Sequence, residues 1–353
     1  MRGLYIKAMP ILSHDEVRCV AMFSNQPKFK RLTALKQAWK VVKLRYEFLD
    51  HPNAAAMARC SPQLRLRVSG GLGEEPNYSY EGVHWCRVRW CPVCMAAKSN
   101  KWMAKFLKAF ASKLRLADDP QFIFITLTIK NCKLSDLRAT VTHMNKAWKK
   151  MVARTDSPIE GYLRSLEITA QLNPDDKTKL YRIDDEIMVH PHFHAILAVP
   201  SNYFEKWYKN YHSFDKWRAV WKKALGCDYD PMIHVKRIKA TVSETGNNSM
   251  VKAVSETFKY CIKPAEFVDF GEDSTDYLEG ITEQTKNLRA VNVGGYFAKH
   301  ISQKELDKID DTLEFDEAES QVGELMQLDW LDDSDRWQFS FPDRPPTRIL
   351  WNY

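Results

Sequence analysis

The chain has 353 residues, 44% hydrophobic and 27% charged, with a formal net charge of +7. This is the composition of a globular protein, long enough for one large domain or two smaller ones. No apolar run approaches the roughly 18 residues that suggest a membrane span, and the N-terminus Met-Arg-Gly-Leu-Tyr-Ile-Lys has no signal-peptide core, so the expected location is the cytoplasm with no membrane partner.

The charge is uneven. Lys and Arg dominate residues 1–264, and Asp and Glu dominate residues 265–353. A basic body calls for a polyanionic partner, most often nucleic acid, while an acidic tail is a solvated segment or a competitor for the basic surface. Of the eight cysteines, three crowd into residues 86–94. Such crowding in a cytosolic chain favours a metal over disulfides.

Residues 1–59 read as a helical N-terminal region. Leu32, Leu35, Trp39, Val42 and Tyr46 form a helical stripe within Phe29 to Leu49, with Lys and Arg between them. Residues 60–116 read as a zinc knuckle followed by a basic helix. Cys86-x4-Cys91-Pro-Val-Cys94 supplies three thiolates, and structural zinc wants four N/S ligands. Cys60, just before the β-rich Gln63 to Val68, is the expected fourth, with His84 as the alternative. From 96 to 116, Trp102, Phe106, Leu107, Phe110 and Leu114 form an apolar stripe, with basic residues including Lys98 and Lys105 around it. That suits phosphate contact, and equally a plain amphipathic helix.

Residues 117–300 carry the chemistry. Phe122 to Lys130 is a predicted strand, Leu134 to Val152 a helix, and Gly161 to Ala170 a second strand. Val189 to Val199 is a third, in which Phe193, Ala195, Leu197 and Val199 share one face and His190, His192 and His194 the other. A row of buried imidazoles is costly unless it binds something, and histidines at i and i+2 can converge on a metal; the bland alternative is a hydrogen-bonded cluster. A hairpin of the second and third strands would bring Glu167 to His192 and His194 as the third ligand. Tyr203 to Leu225 is predicted as an aromatic-rich helix, mostly core, and Met232 to Ile238 as a strand. Ser249 to Lys263 is predicted as a helix stopped by Pro264, with Glu256, Tyr260 and Lys263 on one face. That stripe by itself reads as solvated surface. Leu288 to Phe297 reads as a turn, and the acidic tail, 301–353, is expected to be poorly ordered over 303–336.

Together these motifs resemble one family. His192-Phe193-His194 is similar to the paired-histidine motif of HUH endonucleases, Phe124-Ile-Thr-Leu-Thr128 to their first-motif strand, and Tyr260-Cys-Ile-Lys263 to their Tyr-x-x-Lys nucleophile motif. Glu256-x-x-x-Tyr260, the upstream cysteines, Gly161 to Glu167 and Gly294-Gly295 resemble the one-tyrosine, one-glutamate plasmid rolling-circle replication initiators. The resemblance covers roughly residues 60 to 300. It implies an α+β fold with an HUH-endonuclease-like central antiparallel sheet of about five strands, flanked by helices, downstream of the zinc knuckle.

It also implies an enzyme that nicks and rejoins DNA at a plasmid origin. Tyr260 would be the nucleophile, Glu256 the terminating base and Lys263 a phosphate or proton partner. His192, His194 and Glu167 would hold Mn²⁺ or Mg²⁺, with His190 behind them, and Cys60, Cys86, Cys91 and Cys94 would hold Zn²⁺. The expected partners are single-stranded or hairpin origin DNA and a host helicase and polymerase. An HUH transposase or relaxase would share the chemistry. A zinc-ribbon DNA-binding regulator without catalysis, and a generic metal-dependent hydrolase, are the readings from other classes.

Overall fold

A computed structural model describes residues 27–69, 77–111, 120–238, 249–258, 264–312, 324–340 and 348–350. The chain divides into two units, 1–94 with 313–353, and 95–312. No helix among the described residues is long and apolar enough to cross a membrane.

The first unit contains α1 (Pro27–Phe48), α2 (Asn53–Ala58), β1 (Gln63–Ser69) and β2 (Asn77–Val83). The predicted stripe of α1 is its buried side: Trp39, Val42 and Tyr46 are inside, and Trp39 Nε1 donates to the Met57 carbonyl at 3.2 Å, tying α1 to α2. Three strands from the far end of the chain complete an antiparallel sheet: β10 (Glu324–Leu331), β11 (Arg336–Ser340) and β12 (Arg348–Leu350), in the order β12-β11-β10-β1-β2. Leu64 faces Leu328 and Leu66 faces Met326 across the β1–β10 pair. Within 303–336, residues 303–312 are helical and 324–331 form β10, which corrects the expectation of poor order there, while 313–323 lie outside the described residues. Met326, Leu328 and Trp330 alternate with polar residues, which is enough to bury one face of a strand. The acidic composition around them hid a period-2 signal.

Helix α3 (Pro92–Ala111) leads into the second unit. There β3 (Gln121–Thr128), β5 (Gly161–Ala170), β7 (Glu186–Val199), β8 (Ile233–Ile238) and β9 (Val291–Gly295) form an antiparallel sheet ordered β8-β3-β7-β5-β9, with the short β4 (Cys132–Lys133) and β6 (Arg182–Ile183) added to β7. The histidine strand is therefore central, and the fold is the expected α+β arrangement of a large antiparallel sheet flanked by helices. One face is covered by α4 (Leu137–Val152) and α5 (Phe214–Leu225): Phe193 meets Trp148 and Trp221 edge-on. On the other, Trp102 and Phe106 of α3 join Met250 and Val254 of α6 (Ser249–Thr257), then Phe258 and Phe297, over Phe124, Leu163 and Ile196. Each such side chain, fully buried, contributes about 1.5–3 kcal/mol. Helix α7 (Gly271–Gln284) and helix α8 (Gln303–Thr312) follow.

Two further expectations change. Residues 203–213 are turns, and the helix starts only at Phe214, because the Ser213 hydroxyl accepts from Lys216 N–H as an N-cap. Trp217 and Trp221 are buried as expected, but Trp207, Tyr211 and Phe214 are exposed. The Leu288 to Phe297 segment is no mere turn: Val291–Gly295 forms the edge strand β9 against β5. Its double glycine answers to close packing. Gly295 has φ +57°, and a Cβ there would strike the Glu160 carbonyl, while one on Gly294 would strike the Tyr162 ring.

Candidate functional site

The alternation of β7 sends His190, His192 and His194 to the face opposite Phe193. On the neighbouring β5, Glu167 stands directly across from His192, and Ser165 across from His194. Glu167 Oε2 consequently lies 2.7 Å from His194 Nε2 and 3.2 Å from His192 Nε2. Glu167 and His194 are buried, and the two imidazole rings are nearly perpendicular, with centroids 4.8 Å apart. Burial alone would raise the Glu167 carboxyl, but hydrogen bonds from His192 and His194, and their charge, outweigh it and hold the group well below the usual carboxylate range.

The other nitrogen of each ring is also fixed. With Nε2 turned to the centre, His194 Nδ1 lies 3.0 Å from Thr126 Oγ1 and His192 Nδ1 lies 3.2 Å from the His190 carbonyl. Such outer contacts set the tautomer and aim the ligand atom. His190 thus touches the centre through its backbone, while its ring sits 2.7 Å from Asn131 Oδ1. Burial and the neighbouring His192 push the His190 imidazole down to about 4. Thr126 and Asn131 escaped the sequence reading, although alternation in Phe124-Ile-Thr-Leu-Thr128 puts Thr126 and Thr128 on the histidine face, opposite His194 and His192.

The donor set fits a divalent cation. For metal–N and metal–O bonds near 2.1 Å, ligand atoms at a right angle lie about 3 Å apart, which the 2.7 and 3.2 Å separations bracket. Three protein ligands leave coordination positions open, as catalytic centres do and structural ones do not.

The second cluster belongs to the first unit. Ser61, at φ +46°, donates its N–H to the His84 carbonyl at 2.7 Å, which lays Cys60 beside the chain entering the knuckle. Cys91 and Cys94 flank the first turn of α3, with Pro92 in the first helical position, where its missing N–H costs nothing. The Sγ separations are 3.6 Å for Cys60–Cys91 and for Cys60–Cys94, and 3.5 Å for Cys86–Cys94. Tetrahedral zinc with bonds near 2.3 Å has S···S edges of about 3.8 Å, so the four thiols fit a tetrathiolate site. No disulfide joins them. His84 is not in the group; it is exposed, with Nδ1 at 2.6 Å from the Arg59 carbonyl. Without a metal, burial pushes the Cys91 thiol up, so an ion is what would draw the thiolate form.

Glu256 lies on α6, half-buried, one residue short of that helix's end. Its neighbours Val254 and Phe258 pack against the sheet face that carries the triad. Tyr260 and Lys263 lie outside the described residues.

A family model described as "Replication protein" matches residues 78–338. A "Protein rep" of Bacillus amyloliquefaciens is 27% identical over 86% of this chain and 89% of its own length. A "Protein rep" of Lactiplantibacillus plantarum is 28% identical over 75% of this chain and 80% of its own. One from Staphylococcus aureus is 30% identical over 52% and 71%. No solved structure gives a match.

Proposed function

The chain belongs to the replication protein family, and on that premise we propose that it initiates rolling-circle replication of a plasmid by nicking one strand of the origin. The observation that carries this reading is the Glu167–His192–His194 centre on the middle strands of an antiparallel sheet. Three clustered ligands with positions left open are the pattern of catalytic metal sites, which favours an enzyme over a non-catalytic zinc-ribbon regulator. The family match favours an initiator over a transposase or relaxase.

In this reading Tyr260 Oη attacks a backbone phosphorus. A P–Oη bond forms, the P–O3′ bond breaks, and the departing 3′ oxygen takes a proton to become the 3′-OH that a host polymerase extends, with a host helicase opening the duplex ahead. The 5′-phosphotyrosine keeps the energy of the phosphodiester, so strand transfer can reseal DNA without ATP. A phenol of pKa about 10 is a weak nucleophile at neutral pH. Lys263, three residues on, neutralises phosphate charge or takes part in the loss of the phenolic proton. Glu167, His192 and His194 would hold a divalent cation, Mn²⁺ or Mg²⁺, which when bound supplies Lewis-acid polarisation of the scissile phosphate. The four cysteines would hold Zn²⁺ as a structural ion.

One tyrosine begins a round, so another group must end it. Glu256 stands four residues before Tyr260 in sequence, and we assign it to activating water against the regenerated origin phosphate. The substrate is a single strand, presented as a hairpin loop or melted duplex, and the work is done in the cytoplasm beside the plasmid.

The test is to incubate the protein with single-stranded origin DNA, with and without Mn²⁺, and to separate the products under denaturing conditions. A DNA-shifted protein band that needs the metal supports the reading. Cleavage without any adduct would point instead to a hydrolase. Adduct formation on transposon ends but not on origin hairpins would point to a transposase.

A further inference from the structure

Lys36 is fully buried on α1, in the helical stripe that also holds Trp39. Its Nζ donates to the Cys60 carbonyl at 3.0 Å and sits 3.6 Å from the centroid of the Trp39 ring, with the Trp330 ring at 5.7 Å. No carboxylate among the described residues forms an ion pair with it. A buried ammonium with one carbonyl and two aromatic faces is short of negative charge, because cation–π contacts and a neutral acceptor do not offset the loss of water.

The missing charge is close at hand. Lys36 Nζ is bonded to the backbone carbonyl of Cys60, one of the four clustered cysteines, whose Sγ lies 3.6 Å from those of Cys91 and Cys94. Four thiolates around one Zn²⁺ carry a net charge of −2. We propose that Lys36 is the internal counter-cation of a tetrathiolate zinc site, so that metal binding at the knuckle and docking of α1 favour each other. The proposal rests on the reading of the four cysteines as a zinc site. It gives the N-terminal helix a task that its apolar stripe does not suggest: packing of Trp39, Val42 and Tyr46 docks α1, and Lys36 adds the charge that matches the loaded cluster.

Packing and charge make different predictions here. Lys36→Met keeps the buried stem and removes the ammonium, and Lys36→Arg keeps the charge. The full-length protein is purified in each form, zinc content is measured by elemental analysis, and zinc affinity by competition with a chromophoric chelator. The wild type should hold one zinc at the cluster. Lys36→Met should bind it about 10–100-fold more weakly, the range for lost outer-shell partners of a metal, and Lys36→Arg should fall between the two.

Cobalt substitution supplies a second readout that packing alone would not move. Removing a nearby cation raises the energy of the thiolate electrons, so the sulfur-to-cobalt charge-transfer band of Lys36→Met should shift to longer wavelength. A Lys36→Met protein with wild-type zinc affinity and an unshifted band overturns the counter-cation role and leaves the zinc site standing. A Lys36→Arg protein that holds zinc no better than Lys36→Met overturns it too. A folded wild type that contains no zinc removes the metal reading itself, and the counter-cation with it.

Discussion

Replacing Glu167 by Gln changes one oxygen to a nitrogen and leaves the shape of the site almost intact, so its effect isolates the carboxylate. In the metal-free protein Glu167 accepts from His194 at 2.7 Å and from His192 at 3.2 Å. A Gln carbonyl can still accept from one of them. The cost is the difference between charge-assisted and neutral hydrogen bonds, about 1 kcal/mol. The metal-bound protein should differ far more. At a metal concentration a hundred times Kd, binding stabilises the wild type by about 2.7 kcal/mol, a melting shift of roughly 5–10 °C for a unit of this length. Losing a ligand should weaken binding by at least the roughly 100-fold that a poor outer shell can cost. At the same concentration the variant would then gain only about 0.4 kcal/mol. The assay is thermal unfolding of both proteins with and without Mn²⁺, in the presence of zinc so that the cysteine cluster stays loaded. If Glu167→Gln shows the full Mn²⁺-dependent shift, Glu167 is not a ligand and the three-ligand centre is wrong.

Five other outcomes are expected. His190→Ala should reduce metal-stimulated nicking only a few-fold, because His192 is held by the His190 carbonyl, which the substitution keeps, whereas His192→Ala should abolish it in a nicking assay. Cys94→Ser should lose zinc and solubility together, while His84→Ala should keep its zinc by elemental analysis. Glu256→Ala should nick and form the adduct but fail to release a circle of defined length from a plasmid with two tandem origins. At the start of α8, Ser302 and Glu305 cap each other: Ser302 N–H donates to Glu305 Oε2 at 2.8 Å and Glu305 N–H to Ser302 Oγ at 3.2 Å. Ser302→Ala should cost about 1 kcal/mol in denaturant unfolding. Lys105, with the Ser302 N–H and hydroxyl, pulls the Glu305 carboxyl down to about 2, so its contribution is present above the ordinary carboxylate range and lost as pH falls toward 2.

The site was legible where the chain repeats with period 2. Val-His-Pro-His-Phe-His-Ala shows its two faces in the sequence, and a hairpin with Gly161 to Ala170 brings Glu167 close to His192 and His194, while the register that sets Glu167 opposite His192 comes from the structure. The cysteine cluster was legible because tetrahedral zinc asks for four N/S ligands and the spacing supplied three, while the structure groups Cys60 rather than His84 with them. What stayed hidden depends on long-range partners. Met326, Leu328 and Trp330 make a strand only because β1 offers them a face across more than 250 positions of sequence, and their acidic surroundings spoke for solvation. The helix predicted from Tyr203 failed because Ser213 caps it late, and the aromatic count alone says nothing about where a helix begins. Lys36 read as one of the basic residues between those of the apolar stripe, and its burial depends on the Cys60 carbonyl, 24 positions away.

The central claim is that a single tyrosine is joined to DNA. The direct measurement is to trap the adduct on a single-stranded origin oligonucleotide with Mn²⁺, digest protein and DNA, and locate the linked residue by tandem mass spectrometry, with Tyr260→Phe as the comparison. A nucleotide 5′-phosphate is expected on the peptide containing Tyr260, and no adduct from Tyr260→Phe, which should still bind the oligonucleotide. A nucleotide on any other residue, or an adduct at the wild-type rate from Tyr260→Phe, would contradict the claim.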